Sequence, residues 1–146
     1  MGEKIELGGI AVEFLVEAED SGGSVTVFEC TVPAGSKVPA PHSHDAFEET
    51  VYGLEGTCTW TVDGETRDIG PGDAICIRRG QVHGFDNQSD ADMKFLAIAS
   101  PGVFGPAYFR DIRDVVAAAA GGPPDLGAML DVMRRHGLTP AVPVPS

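Results

Sequence analysis

The residues with chemistry to offer are His42, His44, Glu49 and His83, and the first three fall within the run Pro41-His42-Ser43-His44-Asp45-Ala46-Phe47-Glu48-Glu49. In an extended strand, residues i and i+2 project from the same face. His42 and His44 can therefore aim both imidazoles at one point, which a helix at this spacing does not allow. Glu49 can reach that point from the adjoining strand, and His83 from a strand paired across the sheet. Three imidazoles and a carboxylate suit a divalent first-row metal. Glu48, next to Glu49, projects to the opposite side and is expected at the surface.

These residues sit at offsets that resemble the two motifs of the cupin family. Gly35, His42, His44, Glu49 and Gly56 follow the first motif, with six residues rather than five between Gly35 and His42. Gly72, Gly80, His83 and Asn87 follow the second, with Arg78 where the family usually carries proline. The segment between them, residues 57–71, is short, as in small microbial cupins, and the likeness extends to their quercetinase-like members. The resemblance implies that His42, His44, Glu49 and His83 are the metal ligands. It also implies an antiparallel jelly-roll β-barrel with the metal inside it, near the wider mouth. Asn87 is expected to fix a turn or a backbone bond rather than touch metal.

The positioning elements are legible around this core. Residues 5–18 read as one or two strands broken at Gly8-Gly9, and Ser21-Gly22-Gly23-Ser24 is a turn signal. Residues 24–32 alternate as a half-buried strand. Pro41 opposes helix formation ahead of the histidines. Residues 49–54 form the next strand. Residues 57–62 alternate, with Cys58, Trp60 and Val62 on one face, and Asp63-Gly64 predicts a type I′ hairpin to residues 65–69. Residues 74–78, the His83-Phe85-Asn87 strand and residues 93–99 complete the β region. Strands of this length separated by turns indicate an all-β sandwich or barrel.

After Pro101-Gly102 the pattern changes. Residues 106–120 read as a helix with Phe109, Ile112, Val116 and Ala120 on one stripe. Residues 125–136 read as a second, with Leu126, Met129, Leu130 and Met133 inward and Gly137 ending it. Residues 140–146 are expected to be extended. The division is thus a β-barrel over 1–104, with its motif core at 35–87, and a two-helix extension over 105–146 packing on its outside.

Composition narrows the partners. A net charge of −12 and a pI of about 4.5 oppose nucleic-acid binding. No apolar run approaches a membrane span of about 20 residues, and residues 1–7 lack a hydrophobic signal core, so the expected location is the cytoplasm. Cys30, Cys58 and Cys76 are widely spaced and odd in number, which suggests buried, reduced thiols. Arg78 and Arg79 read as a solvated turn pair, and His136 as a helix-end cation.

Function is expected to follow from one divalent transition metal per chain: Fe, Ni, Mn, Cu or Zn. Three histidines and one carboxylate leave coordination positions open for a substrate or dioxygen. Phe47, Trp60, Ile75, Ile77 and Phe85 are candidate walls of a substrate pocket. By resemblance, the first reading is a quercetinase-like dioxygenase acting on a small oxygen-chelating molecule, with Glu49 as ligand and general base. An isomerase or polyketide-cyclase-type enzyme without oxygen chemistry, and a non-catalytic small-molecule binder, are the alternatives. A homodimer is expected, because barrel edges and apolar outer sheets need covering. Acidification towards pH 5 is expected to release the metal, since imidazole ligates only when neutral.

Overall fold

A computed structural model describes residues 2–37 and 40–141. Among these residues eleven strands and three helices follow in the order β1 (Lys4–Leu7), β2 (Ile10–Val16), α1 (Ala18–Ser21), β3 (Thr26–Val32), β4 (His42–His44), β5 (Glu48–Glu55), β6 (Cys58–Val62), β7 (Glu65–Ile69), β8 (Ala74–Ile77), β9 (His83–Asp86), β10 (Met93–Ser100), α2 (Pro106–Ala118), α3 (Leu126–Arg135) and β11 (Leu138–Pro140). Among the described residues the strands pair antiparallel in two sheets, ordered β1-β2-β3-β10-β5-β8 and β11-β4-β9-β6-β7. This is the all-β, jelly-roll class that the family resemblance implies, with helices after the last long strand.

Period-two burial decides which face of each strand meets the core. Thr26, Phe28, Cys30 and Val32 of β3 are buried, as are Met93, Phe95, Ala97 and Ala99 of β10, while the intervening residues face outward. The β6–β7 hairpin turns at Asp63 and Gly64, both at positive φ (49° and 84°), as a type I′ turn requires. Asn87 is wholly buried and acts as a structural tie. Its amide donates to the carbonyls of Val32 and Ala91, and its oxygen accepts from Ser89.

The helices differ from expectation in detail. α1 is a single short turn closed by a capping box between Glu17 and Asp20. α2 begins on Pro106, which suits a first helical position. α3 is capped by Asp125, whose carboxylate accepts from the Ala128 amide at 3.1 Å. Leu126, expected inward, is exposed because it lies in the first turn; Val132 joins Met129 and Met133 in the core instead. Ala120 lies beyond the end of α2 and is exposed. Pro140 belongs to β11, which pairs with β4; residues 142–146 of the expected extended end lie outside the described residues.

Phe104 and Phe109 interlock with Phe14 and Phe28 at ring separations of 5.3–6.2 Å. Residues from α2 and α3 thus share one buried cluster with the strands. Among the described residues no helix is long and apolar enough to cross a membrane.

Candidate metal centre

β4 and β9 lie side by side in the five-stranded sheet, with His42 directly opposite His83. His44 projects from the same face of β4 as His42, so three imidazoles converge, with ligand atoms all within 4.8 Å of one another. Glu49 comes from the other sheet. It sits at the start of β5, between Ala99 of β10 and Ile77 of β8. Its Oε1 stands 3.6 Å from His44 Nε2 and 3.9 Å from His83 Nε2. All four side chains are buried.

The nitrogens available to an ion follow from the backbone. His42 Nδ1 lies 2.9 Å from the Ala40 carbonyl, and His83 Nδ1 lies 3.0 Å from the Gln81 carbonyl. A carbonyl can only accept, so each Nδ1 carries the proton and each Nε2 keeps its lone pair. Backbone carbonyls that orient metal-bound imidazoles in this way are the usual second partner of such ligands. His44 differs: its Nδ1 is buried without a hydrogen-bond partner, and its ring stacks on Phe47 at 4.2 Å.

The electrostatics agree with a cation at this point. Burial and the neighbouring histidines push His42 down to about 3 and His44 down to about 2, and burial lowers His83 as well. All three are therefore neutral at pH 7, as ligation requires. Burial pushes the Glu49 carboxyl up to about 7. A carboxyl group deprived of solvent beside three neutral imidazoles ionises at a cost unless a positive charge stands with it. The separations fit a shared ion. Two donors each about 2.0–2.2 Å from one metal can stand up to about 4.4 Å apart, and 3.6 and 3.9 Å fall inside that limit while exceeding a hydrogen bond.

The cluster opens on a cavity of about 70 Å³. Trp60 and Phe85 line it. Phe47, Ile75 and Ile77 do not: Phe47 backs His44, Ile77 is fully buried opposite Glu49, and Ile75 lies opposite Val51 and is only half-buried. Sequence reasoning missed the walls supplied from a distance, among them Leu7, Ile10 and Val12 from the first strands, Phe104 from the segment before α2, and Tyr108, Phe109 and Ile112 from α2. Amphipathic periodicity signals that α2 buries one face, not that this face roofs the histidines.

Other candidates lie away from the cavity. Glu48 points outward and accepts from Arg79 Nε and Nη2 at 2.5 and 2.6 Å, and this pairing holds its carboxyl down to about 2. Arg78 is exposed. His136 bonds Asp111 at 2.8 Å, tying the end of α3 to α2. All three cysteines are free; Cys30 and Cys58 are buried, but Cys76, expected buried, faces outward from β8 and is exposed.

The cupin domain family model matches residues 28–99, a span that contains all four converging side chains. The chain belongs to the cupin superfamily. Among curated proteins, this cupin is 27% identical over 113 residues to quercetin 2,3-dioxygenase of Bacillus subtilis. That match covers 77% of this chain but 33% of the enzyme, so the chain spans about a third of its relative's length. A solved structure from Thermotoga maritima, described as a predicted oxalate decarboxylase, aligns with TM-score 0.62 and 25% identity, covering 68% of this cupin and 90% of that chain. A sugar phosphate isomerase from Silicibacter pomeroyi aligns with TM-score 0.57 and 25% identity, covering 64% and 60%.

Proposed function

We propose that this cupin is a metal-dependent enzyme of the oxygenase type, acting on a compact apolar molecule that chelates through its oxygens. The observation that carries this reading is the cavity wall. Beyond the three histidines and Glu49, it consists of aliphatic and aromatic side chains, the Cys30 thiol, the Gly84 backbone and the Tyr108 phenol, with no lysine or arginine. A sugar phosphate or a dicarboxylate would meet no cationic side chain there. A 1,3-dicarbonyl or a small catechol would bury its carbon frame against the aromatic walls and present its oxygens to the histidine–glutamate centre. Pockets for drug-sized ligands run to about 300–1,000 Å³, so about 70 Å³ favours such compact molecules over a flavonol.

His42, His44, Glu49 and His83 would hold the ion. A bound divalent metal with open positions would supply Lewis acidity and, if redox-active, a partner for dioxygen. The chain's own part is acid–base and steric. Glu49 would accept the proton from the substrate's enol or phenol hydroxyl, leaving an oxyanion facing the centre. The surrounding apolar wall excludes water and so strengthens that electrostatic interaction. The distant likeness to quercetin 2,3-dioxygenase supports the oxygenase direction.

Oxygen uptake tests the reading. Protein stripped and reloaded with Fe(II), Ni(II), Mn(II), Cu(II) or Zn(II) is mixed with acetylacetone, catechol or a flavonol. Uptake with one redox-active metal, best with a compact substrate and absent in His44→Ala, is the expected result. His44→Ala should also lose stoichiometric metal while retaining its β-rich circular dichroism spectrum. Full metal in that variant overturns the ligand assignment. If no metal gives uptake but the metal-loaded protein exchanges the acidic C–H of acetylacetone with deuterium faster than solvent alone, Glu49 serves an isomerase- or cyclase-type proton transfer instead. Neither uptake nor exchange would leave a small-molecule binder.

We further propose that two copies associate through the outer face of the six-stranded sheet. There Val27, Ile98, Thr50 and Cys76 form a row across four strands, flanked by Leu96 and the exposed Tyr52.

A further inference from the structure

Tyr108 stands on the first turn of α2, which roofs the cavity, and it lines the same space as the three histidines and Glu49. Its side chain is buried, at 6% exposure. Phe104 packs against its ring at 5.0 Å, Phe109 at 5.1 Å and His136 at 5.6 Å, which leaves the ring little freedom to turn away. Among the described residues its hydroxyl makes no hydrogen bond. A phenol hydroxyl with no protein partner is free to donate to an acceptor bound in the cavity it lines. Burial, and secondarily the Glu49 charge, push its ionisation up, so the phenol keeps its proton.

A phenolic donor lining the same apolar cavity as the three histidines and Glu49 has a natural acceptor there: the anionic oxygen of a molecule bound at that centre. We infer that Tyr108 is the hydrogen-bond donor to the anionic oxygen of a substrate held at the histidine–glutamate centre, so that α2 is part of the active site. The inference rests on the metal-centre reading above. It assigns α2 a function that strand motifs cannot encode, and it restricts the ligand to molecules bearing an enolate, phenolate or similarly compact anion. No covalent bond forms or breaks at Tyr108; the phenol lends its proton to a hydrogen bond and retains it.

Azide is a small anion suited to a cavity of this size, and it changes the visible spectrum of cobalt(II) when it binds. The full chain is loaded with cobalt(II), its metal content measured, and azide titrated into wild type, Tyr108→Phe and Tyr52→Phe. A hydrogen bond to an anion in this setting is worth about a tenfold change in affinity. Tyr108→Phe should therefore bind azide about tenfold more weakly at full cobalt content, and Tyr52→Phe should match wild type. Wild-type affinity in fully loaded Tyr108→Phe overturns the inference and leaves the metal centre standing. Loss of cobalt from Tyr108→Phe overturns it as well, because the phenol would then support the ligands and not the bound anion. Cobalt binding by wild type without azide binding overturns it too. A wild-type chain that takes up no cobalt removes the metal-centre reading and this inference with it.

Discussion

His44 shows how burial changes the meaning of a ligand. An exposed imidazole takes up a proton near pH 6.5, but here burial and two neighbouring histidines push His44 down to about 2, and similar causes take His42 to about 3. The imidazoles therefore do not protonate within the fold at pH 5, and acid release of metal must follow a different route. The unfolded chain binds protons on these histidines from about pH 6.5 downward, whereas the folded metal-free chain does not. Stability of the metal-free protein is thus present above pH 6.5 and is lost as pH falls towards 3. Glu49 acts oppositely: its folded value of about 7 lies above the carboxylate range, so it favours the metal-free fold at low pH and ceases to do so as pH rises to 7. Three histidines outweigh one carboxyl, so urea midpoints of the metal-free protein should fall steadily from pH 7 to pH 5. In the loaded protein, metal captured by a chelating dye and near-ultraviolet circular dichroism should change together on acidification. Metal leaving well before the fold is lost would contradict the buried, neutral state of these ligands.

At the scale of elements, the strand that presents His42 and His44 is only three residues long. Such a strand needs partners on both edges. β9 provides one through His83, and β11 provides the other, with Leu138 opposite His44 and Pro140 opposite His42. The Asp45 amide bonds the Gly137 carbonyl at 2.9 Å, and Thr139 Oγ1 donates to the Asp45 carboxylate at 2.8 Å. Leu138 is buried at 1% exposure. Truncation after His136 removes these ties and a core leucine, so Tm should drop by roughly 10 °C and metal affinity should fall with it. A truncated chain with wild-type Tm and metal affinity would show that β4 holds its geometry without β11. This strand also marks where sequence legibility ends. His42-x-His44, the Asp63-Gly64 hairpin and the alternation of β3 and β10 are local patterns, and each appears in the structure where local spacing puts it. Residues 138–140 carry no alternation long enough to read, and Pro140 argues against a strand except at an edge. Leu7, Ile10 and the roof residues of α2 are equally illegible, because periodicity names a buried face and not what lies opposite. Cys76 failed for the same reason: its strand was legible, but which of its two faces meets solvent depends on the register of β8 with β5.

For the molecule as a whole, the two faces of the six-stranded sheet carry different duties through the same strands. Ala99 of β10 pairs with Glu49 on the inner side, while Ile98, one residue away, contributes to the apolar outer row. A partner packed on that row would stiffen β10 and β5 where they place the carboxylate, without obstructing a cavity that lies between the sheets. The outer face is not uniformly apolar: Glu13 and Glu29 are paired across β2 and β3, and Lys94 stands 3.9 Å from Glu29. The chain carries −12 in all, so two copies repel at long range, and salt that screens this repulsion should favour association. Sedimentation equilibrium should therefore give about twice the chain mass of 15.2 kDa at physiological salt, with tighter association as salt rises. Ile98→Glu places a charge in the centre of the row and should return the protein to a monomer. Its metal content should stay full, because the histidines stand on the other sheet, while reduced turnover would report the loosened carboxylate. A wild-type monomer at all salt concentrations, or an Ile98→Glu protein still at twice the chain mass, would place the contact elsewhere and separate the outer face from the chemistry.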